Sequence, residues 1–235
     1  MNSGYGRCYI FDCDFCFTNS AFILKFKNCL IEKFLIMCHL TTHHFQPYIL
    51  QYCPTKSWWL KLAMTTAATL ILAISANISI LIQPIPLSLQ SLAVLLIGAC
   101  LGRKLGCLAV LEYLLLGAAG LPFFAGGHGG IGVLTSVSAG YLYGFIISAY
   151  IAGMAAEKGY DRCFWTGLLS FALAHQIIFV CGVLYLANYK HISLSTAFNI
   201  GYLPFAGFDL VKFLIATVFM FYLWRGTNQQ YSSDD

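Results

Sequence analysis

The feature that most constrains this chain is a long stretch without any charged residue. From Leu62 to Gly102 there is no Asp, Glu, Lys, Arg or His. A helix needs roughly 20 apolar residues to cross a bilayer, so this stretch is about twice the length that one crossing requires. Pro84 and Pro86 divide it, because proline ends or kinks a helix. The stretch therefore predicts two membrane-spanning helices joined by a turn that contains both prolines.

The rest of the chain is equally apolar. Hydrophobic residues make up 59% of the sequence and charged residues only 9%, whereas soluble domains carry roughly 25% charged residues. We therefore expect an all-α integral membrane protein. Hydropathy and the positions of Pro, Gly and charged residues predict six transmembrane helices, placed at about 60–82, 88–102, 105–121, 134–156, 163–187 and 208–224.

The predicted membrane domain covers residues 57–227 and is followed by a polar tail, 228–235. Residues 1–56 differ, because they hold six of the ten cysteines and show no sustained helix or strand period. This segment is interpreted either as a poorly ordered cytoplasmic extension or as upstream sequence from a misassigned start, with Met37 as an internal candidate. Cys13 and Cys16 suggest a zinc site, but no second ligand pair with tight spacing follows, so no metal is expected.

Basic residues near the span ends predict the orientation, because they favour the cytoplasmic side. They are Lys56, Lys61, Arg103, Lys104, Lys158, Arg162 and Arg225. Six spans with both termini in the cytoplasm place all of them inside, in a multi-pass protein of the plasma membrane. The outer side then receives three irregular segments: Gln83–Gln90, the glycine-rich residues 122–133, and the approach to Asp209.

Asp209 and Lys212 are the strongest candidate site residues. They stand at the mouth of the last predicted span, and charges inside a bilayer usually mark a ligand or ion site because they are expensive to bury. At i and i+3 the two side chains share one face of the helix. That face offers an anionic acceptor and a cationic donor to a small polar ligand. The alternative is a buried ion pair that satisfies only itself.

Other polar and aromatic residues fall on the same predicted outer side. The amide of Gln90 either binds a ligand with urea or amide groups or forms a hydrogen bond between helices. Tyr113 and Tyr141 are expected to be pocket walls near the glycine-rich loop. Within that loop, Gly126 and Gly127 would let the backbone approach a ligand closely, and His128 would offer its side chain. Glu112 lies in mid-span, with no direction predicted for its side chain.

Ala63 and Ala67 form a pair of small residues four positions apart in the first span. Such spacing lets a second helix approach closely, either within the chain or from another subunit. Several functions are excluded by missing signatures. A phosphate-binding loop is excluded because no glycine-rich loop is followed by Lys-Ser/Thr. Nucleic-acid binding is excluded because no basic run is long enough for it. The sequence also has no nucleophile–base set and no zinc-hydrolase motif. No enzyme activity is expected, and the predicted surroundings are membrane lipid.

Taken together, these motifs resemble the BioY family, the biotin-binding S components of energy-coupling factor transporters. The resemblance covers about residues 58–225, and residues 1–56 have no counterpart in it. The segments that carry it are Pro84–Gln90, Leu92–Gly102, Tyr113–Gly127, Gly140–Phe145, Leu203–Phe205 and Asp209–Lys212. Glu112 stands where the family typically has an apolar residue.

The resemblance implies a six-helix S component that captures biotin from outside. It places Asp209 and Lys212 in the biotin pocket, and makes Ala63 and Ala67 the docking surface for a transmembrane coupling protein. That protein would work with two cytoplasmic ATPase subunits, so this chain needs no cofactor and ATP is hydrolysed by its partners. Three alternatives remain at this stage: an S component for another vitamin or small solute, a membrane enzyme using Asp209, Lys212 and Glu112, and a scaffold without a ligand.

Overall fold

The structure, a computed structural model, describes residues 47–49, 57–80 and 87–233. The predicted extension, with its cysteines and Met37, lies outside the described residues except for 47–49, and so do Pro84 and Pro86. The described elements in chain order are α1 (Trp58–Asn77), β1 (Ser79–Ile80), β2 (Leu87–Ser88), α2 (Gln90–Ala118), a 3-10 turn (Ala125–Gly127), α3 (Ile131–Leu134), α4 (Ala139–Glu157), a 3-10 turn (Tyr160–Arg162), α5 (Phe164–Lys190), α6 (Leu194–Gly201) and α7 (Ala206–Ser233).

The described chain is mainly helical, and most of its long helices are apolar. By length and composition, five helices could cross one: α1, α2, α4, α5 and the Ala206–Arg225 part of α7. The charge-free stretch is divided between α1 and α2, and the short antiparallel strands β1 and β2 pair where these two helices approach each other. Six separate spans were expected and five helices are counted among the described residues, because the predicted spans at 88–102 and 105–121 belong to the single element α2.

Gly102 interrupts α2 and reverses the chain. Its φ of 79° and ψ of 174° are a conformation that only glycine adopts readily. A straight helix would hold Gly98 and Gly106 about 12 Å apart. Instead, a Cβ added to Gly106 would lie 3.0 Å from the Cα of Gly98. The two halves of α2 therefore lie side by side, and the predicted break near Arg103 is a tight turn inside one element.

Small residues bring α4 close to both halves of α2. Ala149, Ala152 and Ala156 are fully buried, and a Cβ added to Gly98 would meet the backbone oxygen of Ala149 at 2.6 Å. At Gly153 an added Cβ would lie 2.3 Å from the Arg103 backbone nitrogen. Packing at this distance needs alanine or glycine on both helices. The seam fixes α4 against the α2 hairpin at the centre of the described fold.

The outward surface is apolar, as expected for a protein surrounded by lipid. Trp59 and Ile74 are both 64% exposed and Leu115 is 68% exposed. A soluble protein rarely shows so much contiguous apolar surface. These side chains lie on α1 and α2. The small-residue pair Ala63 and Ala67 lies on α1, and both residues are exposed.

Polar contacts close the end of the fold at which α4 finishes. Arg103 Nε lies 3.0 Å from Glu157 Oε2, and the Arg103 backbone N–H donates to Glu157 Oε1 over 3.0 Å. Just beyond, the indole N–H of Trp224 donates to Asp161 Oδ2 over 2.8 Å, and the guanidinium of Arg162 covers the Trp224 ring at 4.1 Å. Burial raises the pKa of Asp161 to about 6, while the Trp224 hydrogen bond and the charge of Arg162 oppose the rise.

Two segments at the opposite end differ from the sequence expectation. The fourth predicted span begins at Ala139 instead of 134, because residues 131–134 form the separate short helix α3. The loop after α5 holds α6, an amphipathic helix that the hydropathy pattern did not indicate, and Ser193 caps it by accepting from the Thr196 N–H at 3.2 Å. Residues 228–233 of the predicted polar tail continue α7 as helix.

Candidate functional site

Asp209 and Lys212 form a close pair in the first turns of α7. The Asp209 N–H donates to the carbonyl of Phe205 over 3.0 Å, so the carboxylate stands one turn into the helix, where the dipole favours a negative charge. Lys212 Nζ lies 2.9 Å from Asp209 Oδ1. Asp209 is only 3% exposed and Lys212 only 7%. The predicted shared face is confirmed, and it points into the protein.

Two further helices complete this cluster. From α2, the hydroxyl of Ser91 accepts a hydrogen bond from Lys212 Nζ over 3.2 Å. From α5, Nε2 of His175 lies 3.5 Å from Asp209 Oδ1, and His175 has no solvent exposure. We call Asp209, Lys212, His175 and Ser91 the charged cluster.

The charged cluster keeps unused hydrogen-bonding capacity. Both ion pairs of Asp209 end on Oδ1, and neither carboxylate oxygen has a hydrogen-bond partner within the described part of the chain. In the same part, neither ring nitrogen of His175 makes a hydrogen bond. Buried polar atoms are normally paired, and each exception calls for an explanation. A ligand that brings N–H donors would supply the missing partner of Oδ2.

Gln90 and Tyr113 make a second buried group on α2. The Gln90 amide donates to the Tyr113 hydroxyl, which in turn donates to the carbonyl of Phe123 over 3.2 Å. The Tyr113 ring also meets Phe124 edge to face, with centroids 5.5 Å apart. These contacts depend on the reversal of α2, which brings its two halves together, and they hold the start of the glycine-rich loop in place. Gln90 and Ser91 are consecutive, so this group adjoins the charged cluster.

Tyr141 approaches the charged cluster from α4 through an aromatic neighbour. Its hydroxyl donates to the carbonyl of Gly201 over 2.9 Å, and its ring meets Phe179 edge to face at 5.8 Å. Phe179 lies 5.5 Å from the His175 ring and 5.0 Å from the Tyr202 ring. Tyr141 therefore helps to form an aromatic wall beside the charged cluster, whereas its own hydroxyl is already occupied.

The glycine-rich loop lies at the surface. Gly126, Gly127 and His128 are exposed, and both glycines have positive φ. The carbonyl of His128 accepts from the Phe124 N–H over 3.0 Å, which closes the loop on itself. Among the described contacts, none joins these three residues to Asp209 or Lys212. The loop is connected to the site through Phe123 and Tyr113.

Glu112 lies at the protein surface next to α1. Its Oε1 accepts a hydrogen bond from the Thr66 hydroxyl over 2.9 Å. Leu108 and Leu115, which share its helix face, are exposed. Glu112 is thus separate from the charged cluster. Within the described residues, no group of three or more His, Cys, Asp or Glu side chains could hold a metal ion, and the Cys13 and Cys16 pair lies outside them.

His175 was not among the site residues predicted from the sequence. A signal was present, because His175 is the only Asp, Glu, Lys, Arg or His between Phe164 and Tyr189. An ionisable residue in the middle of a span is a functional-site candidate by the same reasoning that selected Asp209. Its partner could not be named from the sequence, since α5 and α7 meet only in the folded chain.

Comparison with known proteins gives consistent similarities. The family model described as the BioY family matches residues 50–229. The biotin transporter BioY of Thermotoga maritima is 41% identical over 150 residues, which are 64% of this chain and 87% of that protein. The biotin transporter BioY2 of Lactococcus lactis subsp. cremoris is 31% identical over 185 residues, which are 76% of this chain and 98% of that protein.

A solved structure shares the fold. The crystal structure of an S-component for biotin from an ECF-type ABC transporter superposes with a TM-score of 0.64 at 24% identity. The match covers 71% of this chain and 92% of that one.

Proposed function

The chain belongs to the BioY family, and from that premise we propose that it is the substrate-capture subunit of a biotin uptake transporter. It is a multi-pass membrane protein, and its named relatives are transporters. This agrees with the absence of an enzyme signature in the sequence. Residues 57–227 act as the membrane domain that binds the substrate.

The observation that carries this proposal is the buried carboxylate of Asp209, whose Oδ2 has no hydrogen-bond partner among the described residues, while Lys212 Nζ lies 2.9 Å from Oδ1. The ureido ring of biotin has two N–H donors and one carbonyl acceptor, and its tail ends in a carboxylate. Asp209 would accept from the ureido N–H groups, and Lys212 would meet either the carbonyl or the tail. Hydrogen bonds that involve a charged group are roughly twice as strong as neutral ones.

The neighbouring residues would supply the rest of the pocket. Gln90 can both donate and accept, so it suits the polar groups of the ligand. Tyr113 and Tyr141 would face its apolar ring and chain. Gly126, Gly127 and His128 would then lie at the entrance, because their loop is exposed and is tied to the pocket through Tyr113.

We propose six membrane crossings, with the two halves of α2 crossing separately. The reversal at Gly102 puts Arg103 and Lys104 at the turn of the hairpin, where positive residues favour the cytoplasm. Both termini would then be cytoplasmic, and Gln90, Tyr113 and the start of α7 would lie at the outer end. In this orientation, in the plasma membrane, the charged cluster receives a solute that arrives from outside.

Energy would come from other chains. An S component implies energy-coupling partners, which we take to be a transmembrane coupling protein and two cytoplasmic ATPases, with no cofactor in this chain. Ala63 and Ala67 are exposed on α1 and would let a partner helix approach closely. These two residues are our candidates for the docking surface.

Direct binding tests the function. The purified full-length chain should bind labelled biotin, and excess unlabelled biotin should displace it while other water-soluble vitamins should not. Displacement by another vitamin would indicate an S component of different specificity. A chemically altered solute after incubation would favour a membrane enzyme. No binding of any of these solutes would refute the capture function.

A further inference from the structure

The charged cluster contains a residue that the ion pair does not explain. His175 comes from α5, is completely buried, and points Nε2 at Asp209 Oδ1 over 3.5 Å. Burying an imidazole whose nitrogens make no hydrogen bond in the described chain is unfavourable. Apolar side chains would pack there without this penalty. The placement therefore needs a reason beyond the packing of α5 against α7.

We propose that His175 is a positioning residue for biotin, acting through Asp209. This inference rests on the proposed function and names a further residue of that site. The 3.5 Å contact is longer than a hydrogen bond in this structure. In the working site it shortens, so that the neutral imidazole donates from Nε2 to Asp209 Oδ1 and fixes the plane of the carboxylate. The ureido end of the ligand then meets an acceptor that is already oriented.

The geometry supports this role because two donors converge on one oxygen. Lys212 approaches Oδ1 from the same helix at 2.9 Å, and His175 approaches the same atom from α5. Neither reaches Oδ2, which stays without a partner among the described residues. A carboxylate held at one oxygen by two helices presents its second oxygen in one direction. Orientation of this kind lowers the entropy that binding must remove.

Charge balance indicates which form of His175 is present. Asp209 and Lys212 cancel each other, and the neutral hydroxyl of Ser91 completes the contacts of the ammonium. A protonated imidazole would add an uncompensated positive charge to a buried site, which is strongly unfavourable. The imidazole is also flanked by the rings of Phe179 at 5.5 Å and Phe213 at 6.1 Å. These rings limit its rotation and keep the ring edge directed at Asp209.

Two variants of equal length separate positioning from packing. His175→Gln places an amide N–H close to the position of Nε2, whereas His175→Met fills the same space without a donor. Removing a hydrogen bond to a charged acceptor should weaken the affinity for biotin by about 10- to 100-fold. We expect Met to weaken biotin binding by that factor and Gln to stay within a few-fold of the wild-type chain.

The analogue desthiobiotin adds a readout that a change in packing would not reproduce. It keeps the ureido ring and the carboxylate tail but lacks the sulfur. Because His175 acts on the ureido end, the Met variant should lose the same factor for both ligands. A loss for biotin alone would place His175 against the sulfur-containing ring and would overturn the proposal.

The experiment measures dissociation constants of the full-length wild-type chain, His175→Gln and His175→Met for both ligands, with thermal unfolding of the ligand-free proteins as a check. If the Met variant does not fold, His175→Asn replaces it, because its shorter amide does not reach Asp209. If His175→Gln binds biotin no more tightly than His175→Met or its replacement, the positioning role is refuted while biotin capture is unaffected. Failure of the wild-type chain to bind biotin refutes both.

Discussion

Replacing Asp209 by Asn tests the charged cluster most directly. The substitution keeps the shape of the side chain but removes the negative charge that lies 2.9 Å from the Lys212 ammonium. Lys212 is only 7% exposed, so the variant leaves a cation with the Ser91 hydroxyl as its described partner. The Asn amide also offers one acceptor oxygen in place of two.

The expected loss is large because both effects act in a buried place. Removing one partner of a buried ion pair costs about 3–5 kcal/mol. If the whole of this free energy is lost from biotin binding, the affinity for biotin falls by about 150- to 4,000-fold, since every 1.4 kcal/mol corresponds to a factor of ten. High-affinity uptake of labelled biotin should then be abolished while membrane insertion is unchanged.

Asp161→Asn is the matched control, because Asp161 is equally buried at 2% exposure and lies at the opposite end of the fold. Titration calorimetry or labelled-biotin binding on both purified variants gives the comparison. We expect the Asp161 variant to bind like the wild-type chain. Equal binding by the Asp209 variant and the wild-type chain would refute the site assignment. An equal loss in both variants would mean that any buried Asp→Asn change damages the fold.

Three further predictions concern stability, measured by thermal unfolding. Gly102→Ala should lower the free energy of unfolding by about 1–3 kcal/mol, because alanine is strained at this φ and ψ. Gly132→Ala, where an added Cβ meets nothing within 4 Å, is its control and should be nearly neutral. Tyr113→Phe should cost about 1–3 kcal/mol, because it removes the partner of the buried Gln90 amide. Asp161→Asn should stabilise the chain at pH 7.5 by at most about 3 kcal/mol, and the gain should vanish near pH 4.

The sign of the pH effect follows from the raised pKa. The folded chain holds the Asp161 proton up to a pKa of about 6, whereas the ordinary pKa of this side chain is 3.8. The contribution of Asp161 to the free energy of unfolding is therefore lowest above pH 6 and rises as the pH falls from about 6 towards 3.8. Asparagine has no proton to bind and shows no such rise. A constant difference between wild type and variant across pH 4–8 would contradict the burial of an ionised carboxylate.

Thermal unfolding would also contradict the predictions for Gly102→Ala and Tyr113→Phe in the following cases. If Gly102→Ala unfolds at the same temperature as Gly132→Ala, the reversal of α2 does not depend on the backbone of residue 102. If Tyr113→Phe is as stable as the wild-type chain, the Gln90 amide has found another partner. Either result would require a different packing of the two halves of α2.

Helix positions were predictable because the bilayer imposes length and composition. The charge-free stretch predicted two helices, and both are present. Asp209 and Lys212 could also be predicted as a pair, since three positions on a helix fix their relation regardless of the rest of the fold. Local periodicity and the cost of membrane-buried charge were sufficient for both conclusions.

What could not be predicted depends on contacts between distant segments. His175 and Ser91 join the charged cluster from helices far apart in the chain, and no local pattern encodes that meeting. The spans predicted at 88–102 and 105–121 are not separate elements, because Gly102 permits a reversal within α2 without any loop residues. α6 was missed because an eight-residue amphipathic helix is too short to stand out in hydropathy.

The hydrogen bond between Gln90 and Tyr113 has a consequence for selectivity. A solute that takes the N–H donated to Tyr113 exchanges one hydrogen bond for another, so the net gain is small. A solute that displaces the phenolic hydroxyl without offering an acceptor would leave that N–H unpaired in a buried place and would be disfavoured. In the proposed function, Gln90 would therefore contribute to selectivity, while the charges of Asp209 and Lys212 would contribute most of the affinity.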